Sequence, residues 1–459
     1  MYKVDFNSKG HFYFMGIGGV SMSGLAKVLL KRGFTVSGSD NNHSDYTDSL
    51  EELGATIYFP QKADNIKRGI DCIVVTAAIK EDNEELIAAK ASGIPILTRA
   101  EFLGQLMDNY RNSIAVAGTH GKTSTTSMIS QVLLELDEDP TISVGGNFSA
   151  IKSNIHVGDS DTFITEACEY TNSYHEFHAK YSLILNVEAD HLDFFKDLDD
   201  IRKSFNKFAN NTLDNGVLII NGGIDNLSEI IKGVKAKVVT FGEGEDNDCY
   251  AVDIAYDDWG NASFVPVYNG NRMPRIQLKV PGAHNVMNAL ATVVFCVEFG
   301  IEESIIKTGL EKFEGADRRF QYKGKYKGAS IVDDYAHHPT EIATTLEAAR
   351  KYPNERLVCI FQPHTYTRTK ALLKELASAL SLADVVILAK IYPAREKDIY
   401  NISSYDLQRE LDGLGVICYC FDTFEEIEEF ISKKCMNNDL LITMGAGDIV
   451  KVGDDLLNQ

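Results

Sequence analysis

The stretch Gly118-Thr119-His120-Gly121-Lys122-Thr123-Ser124 carries the residue types and spacing most suited to chemistry. It follows an apolar run, Ile114 to Ala117, that reads as a buried strand. It precedes Thr125 to Leu136, which reads as a helix. Strand, glycine-rich loop, Lys-Thr pair and helix together make a cradle for nucleotide phosphates. Glycines let backbone N–H groups approach phosphate oxygens, and the helix N-terminus adds partial positive charge. In such a loop Lys122 reaches the β- and γ-phosphates and the Thr123 hydroxyl sits on Mg2+. The general pattern asks for glycine at position 116, where this chain has Val116; Gly118 stands three places before the Gly-Lys pair instead, so the loop is a variant.

Further polar residues follow apolar runs. Thr162 to Thr165 reads as a strand ending at Glu166, and Ser182 to Val187 as a strand leading to Asp190-His191-Leu192-Asp193. A parallel sheet built on the cradle strand puts Glu166 and His191 at the same carboxyl edge as Thr123. A hydroxyl, a carboxylate and an imidazole there would coordinate Mg2+ directly or through water, the imidazole being the least expected member. Thr141 to Val144 leads to Gly145-Gly146-Asn147, read as a turn with free backbone amides. Asn285 and Asn288 share one face of a helix that begins near His284. Their amides can read an adenine edge, although asparagine at a helix start also serves as a cap.

The elements that must position these groups alternate between strand and helix along the whole chain. His11 to Met15, the turn Gly16-Ile17-Gly18-Gly19-Val20-Ser21, a helix near Met22 to Arg32 and the strand Phe34 to Ser37 make a Rossmann-like opening. Ser21 replaces its third fingerprint glycine, and Asp40 lies where an acid that binds a ribose would lie. Strands Cys72 to Thr76 and Ile94 to Thr98 end in loops bearing Thr76 and Arg99. This opening fits NAD, another diphosphate ligand such as a nucleotide sugar, or a purely structural half-domain. Beyond Arg318-Arg319-Phe320-Gln321 a third α/β unit is expected. In it His337, His338, His364 and Arg368 fall at strand ends, suited to a metal or to an anionic substrate.

With 459 residues the chain is expected to hold about three domains. We place them at 1–110, 111–317 and 318–459. The formal charge of −21 argues against a nucleic-acid partner or a polybasic membrane binder. No apolar run is long enough to span a bilayer, and MYKVDFNSKG lacks the apolar region of a signal peptide. The eight cysteines include no Cys-x-x-Cys pair, so they are expected reduced and buried, which fits the cytoplasm. A monomer or homodimer is expected. A GTPase would carry an Asn-Lys-x-Asp base reader, and Asn206-Lys207-Phe208-Ala209 lacks the Asp. The spacing therefore points to a Mg2+–nucleotide enzyme with a second ligand domain.

The ordered set Gly16 to Gly19, Gly118 to Ser124, Glu166-Ala167-Cys168-Glu169, Asp190 to Asp193, His284-Asn285-Val286 with Asn288, Arg318-Arg319-Phe320, Asp334 to Thr340 and Gln362-Pro363-His364 with Arg368 spans essentially the whole chain. In it the chain resembles the Mur ligases, the ATP-dependent amide-bond ligases of peptidoglycan precursor synthesis. Among them it is most similar to the member that adds L-alanine to UDP-N-acetylmuramate. The resemblance implies a Rossmann-like N-terminal domain, a central P-loop ATPase domain with a parallel sheet, and a Rossmann-like C-terminal domain. It implies UDP-sugar binding around Gly16, Gly18, Gly19, Ser39, Asp40, Thr76 and Arg99. It implies ATP on Gly118 to Ser124, Asn285 and Asn288 near adenine, Asp334 near the ribose and Arg319 at the domain junction. Thr123, Glu166 and His191 match the family's magnesium positions. Gly146, Asn147, Tyr335, His337, His364 and Arg368 match substrate positions near muramate or alanine, and Lys122, His191, His337 and His364 are the catalytic candidates. Two departures stand out: Thr365 occupies a place where many alanine ligases have arginine, and Phe205 that of a carbamoylated lysine in later ligases. A recycling peptide ligase acting on the same UDP-sugar and, in another class, a nicotinamide-dependent oxidoreductase remain the alternatives.

Overall fold

Short runs rich in Val, Ile, Phe and Tyr, each closed by glycine or a polar turn, form the strands, and amphipathic segments between them cover the sheets. The computed structural model describes residues 2–136, 138–191, 194–394 and 396–459, so Leu192 and Asp193 of the Asp190 motif lie outside the described residues. The first sheet has five parallel strands in the order Thr56–Tyr58, Thr35–Ser39, His11–Met15, Cys72–Val75, Ile96–Thr98. This is the Rossmann order, and its direction reverses beside His11–Met15, where Gly16 begins the turn after the strand.

The central sheet has 11 strands. Its middle is parallel: Lys237–Phe241, Val217–Asn221, Tyr181–Ile184, Asn112–Ala117, Thr162–Glu166 and Thr141–Phe148. The parallel sheet expected here is thus only the middle of a mixed one. Antiparallel pairing adds Ser153–His156 at one edge, and a meander built on Cys249–Tyr256, Asn261–Tyr268, Asn271–Arg272 and Ile276–Pro281 at the other. The expected turn at Gly145-Gly146-Asn147 is instead part of the strand Thr141–Phe148. The pairing of that strand with Ser153–His156 is irregular between Ser143 and Phe148.

The third sheet runs Gln321–Tyr326, Ala329–Asp334, Asp439–Met444, Arg356–Phe361, Val385–Leu388, Ile417–Cys420 and is parallel except for its first strand. Half of the cysteines depart from the expected burial. Cys72, Cys249, Cys296 and Cys359 are buried, but Cys168 is exposed and Cys418, Cys420 and Cys435 are half-buried; all eight are free thiols. Among the described residues no helix is long and apolar enough to cross a membrane.

The two domain junctions differ physically. One apolar cluster runs without a break from Phe12, Phe14 and Phe102 of the first domain to Phe163, Phe205 and Phe208 of the second. Tyr110 stacks on Phe163 at 5.1 Å, and the Asn109 amide ties down the backbone of Val4 and Phe6. The junction to the third sheet is polar. It turns through Gly315, Arg318 and Phe320, all with positive φ (103°, 61° and 50°). Arg318 anchors it, bonding Asp333 Oδ2 at 2.9 Å and the Gly445 carbonyl at 2.7 Å.

Gly104, in the helix Arg99–Met107, shows how tightly the first junction is packed, because a Cβ there would stand 2.1 Å from the Glu176 carbonyl oxygen. Gly104→Ala is expected to destabilise the protein by about 1–3 kcal/mol through overpacking. Thermal unfolding should show a lower midpoint; an unchanged midpoint would mean that this helix does not press on the central domain.

Candidate functional site

The cradle loop joins the strand Asn112–Ala117 to the helix Lys122–Leu134. The helix begins three residues before the expected Thr125, so Lys122 is its first residue and the backbone amides of its first turn face the loop. Gly121 precedes it with φ of 80°, and a Cβ there would stand 2.7 Å from Asn288 Oδ1, so only glycine fits. Lys122 Nζ bonds the carbonyls of Gly118 and Thr119 and both oxygens of Glu169, at 3.3 and 3.0 Å. Burial works against its charge, but Glu169 outweighs this and holds the ammonium protonated. Glu169 is only 3% exposed and also lies 3.7 Å from His191 Nε2. It thus sits between two catalytic candidates, a role that sequence reading did not assign to it.

Parallel register brings the neighbouring strand ends to the same edge: Val116 pairs with Glu166, and Ala117 with Ile184. The Glu166 carboxylate accepts the Gly145 amide at 2.5 Å. His191 follows at φ of 52°, its N–H bonded to Asp190 Oδ1 at 2.7 Å. Thr123 receives Arg319 Nη2 at 3.4 Å from across the junction. Gly146 would touch Thr123 if it carried a Cβ, and the Asn147 carbonyl accepts the Asp317 amide at 3.1 Å. Thr123, Glu166 and His191 are therefore on one edge, offering two oxygen donors and one nitrogen.

A cavity of about 250 Å³ opens beside the cradle, lined by His120, Gly121, Ser124, Asn288, Arg319 and Asp334 among others. Asn288 faces it, while Asn285 is bonded behind, its Oδ1 to Asn288 Nδ2 at 3.2 Å and its Nδ2 to the Pro281 carbonyl at 2.8 Å. Asp334 accepts the Phe320 and Ala336 amides, each at 2.8 Å, and burial pushes its carboxyl up to about 6 against the pull of Arg319. His284 also lines the cavity; burial pushes its pKa down to about 4, so it is neutral. Glu188, Thr340 and Glu341 close one side of the cavity; Thr340 ends the Asp334 to Thr340 motif, but neither glutamate was singled out in the sequence.

A second cavity, about 390 Å³, adjoins Asp190, His191, His364, Thr365 and Arg368. Arg368 crosses between domains to Asp190 Oδ1 at 3.1 Å and contacts His364 Nδ1 at 3.2 Å. Burial alone would raise the Asp190 pKa, but Arg368 and His191 hold it well below the carboxylate range. Thr365 caps the helix Tyr366–Ala371 and accepts the Arg368 amide at 3.4 Å. The hydroxyl therefore helps orient Arg368 at a place where an arginine is common in the resembling ligases. The His337 and His364 rings lie 5.7 Å apart, and burial pushes both down to about 4, leaving neutral imidazoles. Tyr335 lies under the guanidinium groups of Arg318 and Arg319, at 5.0 and 5.2 Å. Phe205 is fully buried edge-on to Tyr174, far from the polar edge in character.

In the first domain Gly16 and Thr76 meet at the switch point, where a Cβ on Gly16 would stand 2.7 Å from Thr76 Cγ2. The Gly18 amide donates to Asp40 Oδ2 at 2.9 Å, and Gly19 follows as the N-cap of the first helix. Arg99 reaches Ser21 at 3.2 Å. The Ser39 hydroxyl turns inward and donates to buried Glu85 at 2.5 Å. A larger cleft of about 1030 Å³, around Trp259 and Tyr352, shares Arg319 and Phe320 with the cavity beside the cradle and is lined by none of Gly118 to Ser124.

Three family models match in order: the Mur ligase family catalytic domain over residues 11–111, the Mur ligase middle domain over 116–296 and the Mur ligase glutamate ligase domain over 318–447. The chain is 58% identical over 459 residues to the UDP-N-acetylmuramate–L-alanine ligase of Agathobacter rectalis, with the whole of both chains covered. It is 52% identical over 458 residues to the enzyme of that name from Lachnospira eligens, again over the whole of both. It superposes on the crystal structure of UDP-N-acetylmuramate-alanine ligase from Thermotoga maritima with a TM-score of 0.80 at 29% identity, covering 98% of each chain. A murein peptide ligase from Psychrobacter arcticus shares the fold at a TM-score of 0.70 and 24% identity, with 98% of each chain covered.

The depressed His364 pKa has a pH consequence. From 6.5, its ordinary value, down to about 4, the unfolded chain binds a proton that the folded chain does not. Stability therefore falls as pH drops through that window. His364→Gln should reduce the slope of unfolding free energy against pH by up to about one proton, measured by urea denaturation at stepped pH. An unchanged slope would show that His364 titrates normally in the folded protein.

Proposed function

This chain belongs to the Mur ligase family, and on that premise we infer that it joins L-alanine to the lactyl carboxylate of UDP-N-acetylmuramate, converting ATP to ADP and phosphate. The observation that carries this reading is the cradle at Lys122, which opens into a cavity walled by both the central and C-terminal domains. An amide ligase needs that arrangement, because the nucleotide and the amine acceptor must meet over one carboxylate.

We propose the following division of labour. Residues 1–110 hold the UDP-sugar, 111–317 hold ATP and 318–459 present alanine. A carboxylate resists amines at neutral pH, so it first attacks the γ-phosphorus of ATP; a new P–O bond forms, the bond to ADP breaks, and an acyl phosphate results. Lys122 neutralises charge on the transferring phosphoryl group. Arg319, reaching across the junction to Thr123, adds a second positive charge when the domains are together. The hydroxyl, carboxylate and imidazole of Thr123, Glu166 and His191 fit Mg2+, with oxygens as the preferred ligands; the ion supplies charge neutralisation to the phosphates. The alanine amine then attacks the acyl carbon, and the C–O bond to phosphate breaks. The amine must shed a proton as it attacks, and the departing phosphate can take it; His337 and His364, held neutral by burial, orient the amine by accepting hydrogen bonds. Arg368 offers the alanine carboxylate a cation, in exchange for Asp190. Domain closure excludes water from the acyl phosphate. Nucleotide and UDP-linked substrates place the reaction in the cytoplasm.

ADP release should require ATP, Mg2+, UDP-N-acetylmuramate and L-alanine together. Stimulation by the tripeptide alone would move the chain to the recycling reaction, and no stimulation by any acceptor from folded protein would sink the ligase reading. Lys122→Ala should lower kcat on the order of 10²–10³-fold while UDP-sugar binding, measured by calorimetry, stays near wild type. Loss of both together would point to a collapsed fold.

A further inference from the structure

A second group of metal-binding side chains lies beside the Lys122 site, where the cradle loop meets the C-terminal domain. His120 stands on the loop, Glu188 follows the strand Tyr181–Ile184, and His338 is the N-cap of the helix Pro339–Lys351. One donor atom from each lies within 4.8 Å of the other two. His120 directs Nε2 at Glu188 Oε2, 3.3 Å away, and Nδ1 at Glu341 Oε1, 3.0 Å away. The His338 ring lies 5.1 Å from the His120 ring, and its Nε2 is buried without a hydrogen-bond partner among the described residues. A buried polar atom left unpaired is uncommon and calls for a partner.

We propose that His120, Glu188 and His338 form a binding site for a transition-metal dication, Zn2+ above others, that bridges the central and C-terminal domains. Two imidazoles and one carboxylate are a zinc donor set that leaves a fourth position open. Mg2+ prefers oxygen donors, so this site differs in kind from one that accompanies the nucleotide. Glu341 fills the outer position by accepting from His120 Nδ1–H; burial lowers the His120 pKa but Glu188 and Glu341 raise it to about 9, so the metal binds by displacing the Nε2 proton to solvent. Thr340 Oγ1 orients the carboxylate by donating to Glu188 Oε2 at 2.9 Å. With metal–donor bonds near 2.0–2.1 Å, tetrahedral donors stand about 3.4 Å apart, so the three side chains draw together through small torsions. Coordination by His338 Nε2 moves its ring proton to Nδ1, giving up only the long 3.4 Å cap bond from Thr340 N. Because His120 and Glu188 border the nucleotide cavity, a bound ion ties two domains that must move and slows turnover.

The metal-free, full-length protein tests this without substrates, so the result is separate from the ligase reading. Zn2+ is titrated in competition with a chromophoric chelator, and Co2+ is followed by visible absorption. We expect a single tight Zn2+ per chain, weakened at least about 10-fold by His338→Gln and by Glu188→Gln, and about 10–100-fold by Glu341→Gln through the outer sphere. The Co2+ spectrum should lack a thiolate charge-transfer band. Variants are compared only where their thermal melting matches wild type, and three substitutions guard against one that fails to fold. Equal Zn2+ affinity in wild type and the folded variants would overturn the site. So would the absence of tight binding, or a sulfur-to-cobalt band assigning the ion to the free cysteines.

Discussion

A buried carboxylate between two basic groups organises the site. Glu169 is almost fully removed from water, and an ionised side chain there persists only if it is paired. Lys122 and His191 are its partners. The pairing fixes Lys122 over the loop carbonyls of Gly118 and Thr119, so a nucleotide bound as proposed would exchange one anion for another. Removing Glu169 alone would leave Lys122 buried and uncompensated, which couples the stability of the cradle to its chemistry.

The same economy recurs at the junction with the third domain. Arg319, Arg368 and His120 are all satisfied across the boundary, by Thr123, by Asp190 and by Glu341. Each contact joins polar groups that a bound anion can displace. The first junction is different in kind, because a continuous apolar cluster crosses it. Opening it would expose hydrocarbon, whereas opening the second exchanges hydrogen bonds with water at little net loss. The domain closure proposed above would therefore turn at Gly315, Arg318 and Phe320.

Much of the site was legible because glycine-rich turns after apolar runs have few other uses. Lys122 was read from such a turn, Glu166, His191 and Arg368 from polar residues that follow apolar runs, and Asp334 from the family resemblance. Glu169, Glu188 and Glu341 were not legible as site residues. Each sits in a loop or first helical turn where a carboxylate usually faces solvent or caps a helix, and only long-range packing reveals the base beside it. The turn expected at Gly145 to Asn147 failed for a related reason: glycines mark conformational freedom, and here the freedom lets an extended strand leave its ladder so that an amide can reach Glu166. The segment from Val217 to Pro281 was unread, since its mixed-sheet strands carry no chemistry to flag them.

By itself, the sequence determined the three α/β units and the cradle, because local patterns of glycine, hydroxyl and apolar runs act over a few residues; the family and the reaction followed from its resemblance to the Mur ligases and not from those patterns. Only the tertiary structure decided which charges are paired, which imidazoles are neutral, and which junction is packed. It decided, too, that His338 meets His120 from 218 positions away. Those properties depend on burial and on distances between residues far apart in the chain, and neither is encoded in local spacing.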